Sequence, residues 1–300
     1  MKNIVLDSQM LTTLMACPQL YDYTFNRDLV SVTGKAPALG TGSLVHVIAE
    51  WFAKARIEGK NYNDAVSIGF EAGKEYVKPF SSINKFIKDE SHTGIENVPL
   101  DSDDGRVISV KNVFETMNQY FDYWKNDSNT ILEAEVTKKR LIYEDSEIRV
   151  LWAAKLDRVI DTPLSIMPMD HKTMKQKRDT ISMNNQFMGQ CHIIGSRMVM
   201  IDKIGFQKTL PPREKFLRVP ITYSLSRLEE WRTEILPYYV NMLFAYTEAG
   251  NFPMNFTHCE NKYGLCRFKE IDETDKSVRE EVLRVYFKVG KKWDITSDSD

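Results

Sequence analysis

The stretch Glu147–Lys172 reads EIRVLWAAKLDRVIDTPLSIMPMDHK. Its first part, through Ile160, is dense in β-branched and aromatic side chains and reads as a strand. A short apolar run, Leu164–Met169, follows and reads as a second strand. Pro163 starts it, which suits a strand's first position because proline has no N–H to give to a ladder. Asp157 is expected to end the first of these strands and Asp170 the second, with Lys172 two residues on. Side chains alternate faces along a strand, so Asp170 and Lys172 share a face. Two carboxylates from neighbouring strand ends can hold a hard divalent cation, which takes oxygen ligands. A lysine beside them can orient or deprotonate an attacking water, as phosphodiester hydrolysis requires.

Reading outward, Ile131–Tyr143 predicts another strand, joined by a turn at Glu144-Asp145-Ser146. Ile181–Met200 predicts a helix. Lys203–Leu210 and Phe216–Tyr223 predict two more strands around a Pro211-Pro212 turn. Ser224–Gly250 predicts a long helix that Gly250 caps and Pro253 keeps from resuming. On the N-terminal side, Ser8 is placed to cap a helix carrying Leu11, Leu14 and Met15, and Pro18 opens a second helical stretch. A link with Gly34, Pro37 and Gly40 leads to an amphipathic helix over Gly42–Glu58. Residues 60–130 predict mainly helix, with a loop over 91–106. There Phe114, Met117, Tyr120, Phe121 and Trp124 recur at three and four, the spacing of a core face. Residues 276–289 predict a helix and the tail from Asp294 is acidic and loose. The pattern predicts an α/β domain over residues 1–275 around a mixed central sheet flanked by helices. It has a helical insertion at 52–130 and a catalytic core at 131–223; residues 276–300 form the terminal helix and tail.

The bulk numbers set the class. The chain has 300 residues, 42% of them hydrophobic, and a formal net charge of −2. No apolar run approaches the ~18 residues of a membrane span, and the N-terminus lacks a signal peptide's pattern. A soluble cytoplasmic protein without membrane partners is expected. DNA-gripping proteins are often basic, and this chain as a whole is not. Basic footprints would be local, at His171–Arg178 and Lys203–Arg218. The cysteines at 17, 191, 259 and 266 read as thiols or metal ligands rather than disulfides. No His-Glu-x-x-His run or zinc-type Cys/His spacing appears, which argues against a zinc hydrolase.

The stretches KLDRVID (155–161) and IMPMDHKTMKQ (166–176), followed by a helix carrying Gln186, resemble the core of the PD-(D/E)XK nuclease superfamily. More narrowly they are similar to its RecB-like and phage-exonuclease branch, which includes CRISPR-associated adaptation nucleases. SQMLTTLMACPQLY (8–21), GTGSLVH (40–46) and Phe252-Pro253-Met254-Asn255 match other segments of that branch, in the same order. The resemblance implies a restriction-endonuclease-like fold and a Mg²⁺- or Mn²⁺-dependent deoxyribonuclease. The expected activity is exonucleolytic, on linear DNA in recombination, replication or repair, in a bacterium or a phage-infected host. A single-strand annealing or binding protein is an implied partner. Asp157 and Asp170 become acidic metal ligands, the His171 carbonyl and His46 further ligands, Lys172 the catalytic lysine, and Gln186 a holder of water or phosphate. Where that branch has a tyrosine four residues after the glutamine, this chain has Gln190. Glu135, in the first predicted strand, is placed near the cleft. Many members hold an iron–sulfur cluster on one N-terminal and three C-terminal cysteines. Cys17, Cys259 and Cys266 match three of these, but the fourth falls near Ile271 or Asp272. The resemblance thus leaves two readings: an iron–sulfur cluster with Asp272 or His258 in place of the missing fourth cysteine, or a degenerate site whose thiols are ordinary packing residues. The alternative readings are end-trimming within a CRISPR-type adaptation complex and a non-catalytic DNA-binding module of the same fold.

Overall fold

A computed structural model describes residues 1–32, 40–81, 99–100, 108–174, 183–261 and 264–295. The elements that position the site are strands β1 (Lys2–Leu6), β2 (Thr130–Glu144), β3 (Ile148–Asp161), β4 (Ile166–Met174), β5 (Met198–Gly205) and β6 (Phe216–Thr222). The helices are α1 (Ser8–Ala16), α2 (Thr41–Ile57), α3 (Tyr62–Ser81), α4 (Val110–Tyr123), α5 (Asn185–Ile194), α6 (Leu225–Glu230) and α7 (Leu236–Ala249). The six strands form one mixed sheet with helices on both faces, an α/β architecture.

Strand β3 organises the sheet. Along one edge it pairs antiparallel with β2, from Glu144↔Arg149 to Thr130↔Asp161. Its other edge is shared. Strand β1 lies parallel against the first part, Lys2↔Ile148 to Leu6↔Trp152, and β4 lies antiparallel against the last, Arg158↔Met169 to Asp161↔Ile166. Residues 153–157 therefore have no ladder partner on that edge, and the sheet is split there. The split has a local cause. Asp7 accepts hydrogen bonds from the backbone N–H groups of Gln9 (2.7 Å) and Met10 (2.8 Å). This caps α1 and turns the chain out of the sheet. Strand β4 continues parallel to β5, with Asp170↔Ile201 and His171↔Asp202. A parallel pair needs a crossover, and α5 lies within it.

The two faces differ in content. Against one face α1, α5, α6 and α7 pack around Trp152 and Trp231, with Leu6, Leu156 and Ile201. Against the other, α2, α3 and α4 pack through Val45, Ile48, Phe52, Val113, Met117 and Phe121 onto Ile204 and Phe216. The predicted aromatic stripe on α4 is thus core, with Trp124 just past the helix end. Near the C-terminus, Phe287–Val289 pairs with Leu29–Ser31, and Leu283 and Phe287 join Tyr23 and Phe268 in a smaller core. Trp293 Nε1 donates to Asp7 Oδ2 at 2.6 Å.

Several expectations change. The cap of α1 is Asp7, not Ser8. Strand β1 was not expected; its five residues carry little pattern until they find the first half of β3. The expected helix over 181–200 is shorter, because Gly195 adopts a left-handed φ of 76° and stops it, and Met198–Met200 already belong to β5. Pro211-Pro212 leads into a helical turn, Pro212–Lys215. The long helix over 224–250 forms with a π-helical turn at Trp231–Ile235, and Gly250 caps it at φ 59°. Much of the 91–106 loop, Gly34 and Pro37 of the link, the basic run beyond Met174 and the tail beyond 295 lie outside the described residues.

Candidate active site

The sequence places Asp157 and Asp170 at the ends of their strands, and the structure does not. Both lie inside longer ones, and the site forms at the split in the sheet instead. The β3–β4 ladder stops at Arg158↔Met169. One step further, the Asp157 carboxylate takes the place of a backbone acceptor: the His171 N–H donates to Asp157 Oδ2 at 2.7 Å. That bond joins the two strands across the site.

Opposite Asp157 on β2 stands Glu135. The ladder pairs Ala134↔Arg158 and Val136↔Leu156 and skips the pair between them. Glu135 has φ 50°, a left-handed conformation rare for a residue with a Cβ. Such strain, about 1–3 kcal/mol, concentrates at functional sites. From α2, His46 Nδ1 comes within 3.6 Å of Asp157 Oδ2. One ligand atom from each of His46, Glu135 and Asp157 lies within 4.8 Å of the others, a geometry able to hold a metal ion. Glu135 is also 3.0 Å from the Lys155 ammonium.

Beside this cluster sits a second group. Asp170 is 1% exposed; its Oδ2 lies 2.7 Å from Lys172 Nζ, and its Oδ1 accepts from Gln186 Nε2 at 2.7 Å. Gln190 Nε2 reaches the same oxygen at 3.4 Å. Helix α5 presents Gln186 and Gln190 to Asp170 because they are four residues apart on one face. In sequence Gln190 shows only as the residue standing where a tyrosine would; in the fold it is a buried amide on the carboxylate.

The electrostatics follow from burial. Asp157 is raised to about 7, first by desolvation and then by the charge of Asp170. Burial likewise raises Glu135 and lowers His46. Carboxyls pushed up and an imidazole pushed down in one half-buried cluster are what desolvation and neighbouring like charges produce. A divalent cation would reverse this, and two features fit one. The donor set is one imidazole and two carboxylates. Asp170 Oδ2 is buried with no aligned hydrogen-bond donor, only the lysine charge beside it.

The His171 side chain lies on the sheet face opposite Asp170 and Lys172, as strand alternation demands, and its ring meets that of His46 edge-on at 6.1 Å. Its Nδ1 lies 3.0 Å from Asp202 Oδ2, off the axis of a good hydrogen bond, and both residues are buried. Asp202 also accepts from the Tyr120 hydroxyl and faces Arg218 Nε at 3.6 Å. Burial would raise Asp202, but His171, Arg218 and Tyr120 outweigh it and hold the group at about 2. His171 is lowered to about 4, chiefly by burial and then by Arg158. Glu50, one helical turn beyond His46, is engaged by Lys54 at 2.6 Å. His192 stacks on Trp231 and meets the Leu228 carbonyl at 3.1 Å, a structural role.

The three cysteines of the implied cluster converge elsewhere, around Asn255. Cys17 Sγ accepts from the Asn255 N–H at 3.4 Å, and Cys259 Sγ donates to the Asn255 carbonyl at 3.8 Å. The Cys266 N–H donates to the Cys259 carbonyl at 2.8 Å. Asp272 lies within electrostatic reach of Cys259 and Cys266. Cys191 is buried in the core under the sheet. Among the described residues the set is one thiolate short of the four such a cluster normally takes.

No protein-family model matches the chain. No curated protein matches it either. Among solved structures it is similar to a protein from Eubacterium rectale described as a "putative exonuclease", at 12% identity and a TM-score of 0.47, over 91% of this chain and 89% of that one. It is also similar to LHK-Exo in complex with dAMP, at 10% identity and a TM-score of 0.29, over 69% of this chain and 96% of that one. A third likeness is to SSO0001, at 11% identity and a TM-score of 0.26, over 67% of this chain and 77% of that one. No described helix is long and apolar enough to cross a membrane.

Proposed function

We propose that the chain is a divalent-cation-dependent nuclease that hydrolyses phosphodiester bonds in DNA, acting from the ends of linear strands. One observation carries this reading: the His46–Glu135–Asp157 cluster stands against the Asp170–Lys172–Gln186 group, with the His171 N–H bonded to Asp157 between them. His46, Glu135 and Asp157 would hold the cation, with Asp170 and the His171 carbonyl alongside. The cation, when bound, supplies a positive centre for the phosphate oxygens and a more acidic water.

The chain's own residues do the rest. Lys172 is 43% exposed at its side chain while its partner Asp170 is buried, so the ammonium faces outward from a fixed anchor. There it can orient the attacking water and offset charge growing on the phosphate. Gln186 fixes Asp170, and its own Oε1 lies 3.4 Å from Lys172 Nζ, so one amide positions both groups. The buried floor keeps bulk water from screening these charges.

The test uses end-labelled linear duplex, single-stranded DNA and closed circles, with Mg²⁺ or Mn²⁺. Wild type should consume linear substrate, and Asp170→Asn and Lys172→Ala should not. Cutting of circles would make it an endonuclease. Wild-type rates from Lys172→Ala would sink the reading.

A further inference from the structure

A cavity of about 260 Å³ opens at the far end of α2, between that helix, the end of α4 and strands β3 and β6. Its lining holds four cations, Arg56, Lys125, Arg158 and Arg218, against one carboxylate, Asp127, which Arg218 already engages. Arg158 is the unusual member. It is 3% exposed, and no described carboxylate lies within ion-pairing distance. One of its N–H groups, on Nη2, donates to the Ala49 carbonyl at 2.9 Å, and Nε is buried without a partner. Its guanidinium carbon also lies 5.6 Å from the Phe52 ring centroid; against the five N–H donors of a guanidinium, one carbonyl and a ring face leave the buried Nε unmatched. Leaving a buried charge in that state is costly. Trp124 Nε1, beside it, is a second buried donor without an acceptor. Arg218 stacks on the Trp124 ring at 3.9 Å, which fixes both side chains. The cavity thus holds more cations than carboxylates. Arg56 and Lys125 are exposed at its mouth. His46 and Arg56 are ten residues apart on α2, about 15 Å along its axis, so this is not the metal cluster.

We propose that this cavity is a phosphate-binding site, with Arg158 at its floor and Arg56 and Lys125 at its mouth. The volume exceeds that of a bare phosphate, and the ligand class is a nucleotide's phosphate with its sugar. That choice of ligand rests on the nuclease reading; the anion site itself does not. The nucleotide can be free or the end of a strand, and both present the same phosphoryl oxygens to the guanidiniums.

The test is calorimetric titration of the full chain in chelator, near neutral pH. The probes are inorganic phosphate, a deoxynucleoside 5′-monophosphate and the unphosphorylated nucleoside. Phosphate and monophosphate should bind and the nucleoside should not. Arg56→Gln and Lys125→Gln should each weaken binding about tenfold. Trp124→Phe, which keeps an aromatic face for Arg218 but removes the N–H, should weaken it less, and Asp170→Asn should leave it unchanged. Loss with Asp170→Asn but not with Arg56→Gln would place the ligand at the metal cluster and overturn the proposal. So would no phosphate binding at all, Arg158 then being only a counter-charge for the buried aspartates. Oligonucleotides with and without a 5′-phosphate separate the sources. A phosphate-dependent gain that Arg56→Gln removes assigns the site to strand ends; binding of the monophosphate alone assigns it to free nucleotide. A protein that binds phosphate here yet cuts nothing would leave this inference standing and remove the nuclease reading.

Discussion

The two faces of the sheet are built to different ends. The face under α1, α5, α6 and α7 is dry away from the split: Trp152, Trp231, Leu156 and Ile201 interlock, and the Trp231 N–H is matched by Asn185 Oδ1 at 2.9 Å, while Asp170 and Gln190 are buried together beside the split. The face under α2, α3 and α4 has an apolar core of its own but buries His171, Asp202, Arg158 and Tyr120 within it. Only where the sheet splits do the two meet. There the strand that carries Asp170 toward α5 also carries His171 toward α4. The dry face can be read as what holds the site rigid, and the charged face as what sets its electrostatics. Mutations on the two should therefore separate activity from stability.

The largest expected effect falls on the seam. Asp157→Asn, Glu135→Gln or His46→Ala should each lower hydrolysis by about a hundredfold or more, with circular dichroism and melting close to wild type. A large loss of fold instead would mean that the cluster is structural. Next is the pH dependence of the metal-free protein. Asp157 titrates near 7 when folded and near 3.9 when unfolded, so between those values the folded state holds the extra proton. Stability of the apo chain should then fall as pH rises from ~4 to ~7, by ~3 kcal/mol, and level off above. Asp157→Asn should flatten the slope, and Mn²⁺ should raise the melting temperature most above pH ~7. A melting temperature that ignores both pH and cation would argue against a metal site there.

On the dry face, a Cβ at Gly189 would meet Trp152 Nε1 at 2.0 Å. Gly189→Ala should cost ~2–3 kcal/mol in denaturant melts as Trp152 is displaced. If it instead left stability alone and abolished activity, the division between the faces would fail. The smallest effect should come from Glu135→Gly. Glycine accepts the left-handed backbone that glutamate is forced into, so stability should hold or rise by ~1 kcal/mol, while Mn²⁺ binding measured by calorimetry weakens. Loss of stability in that variant would show that Glu135 is placed by packing, not held for its carboxylate.

Much of the site was legible because strand periodicity is local. The two-residue spacing of Asp170 and Lys172 puts both on one face whatever the rest of the chain does, and Gln186 shares a helix face with Gln190. Glu135 was legible only as an acid in a strand, since nothing local says that it faces Asp157 in a strained backbone. Its signal was the sum of β-hairpin register, in which positions 135 and 157 oppose each other. Arg158 and Asp202 carried no signal at all, because a buried charge and an exposed one look alike in sequence.

By itself the sequence determined the α/β class, the strand content around 131–174, the α4 core face and the acid–lysine spacing, all products of nearest-neighbour chemistry and period. The tertiary structure decided the rest. It brought β1 from the N-terminus against the first half of β3, and so opened the split. It put His46 across from Asp157 over 111 residues of chain, and gathered Arg56, Trp124, Arg158 and Arg218 around one cavity. Those are long-range placements, fixed by which faces bury together rather than by any local pattern.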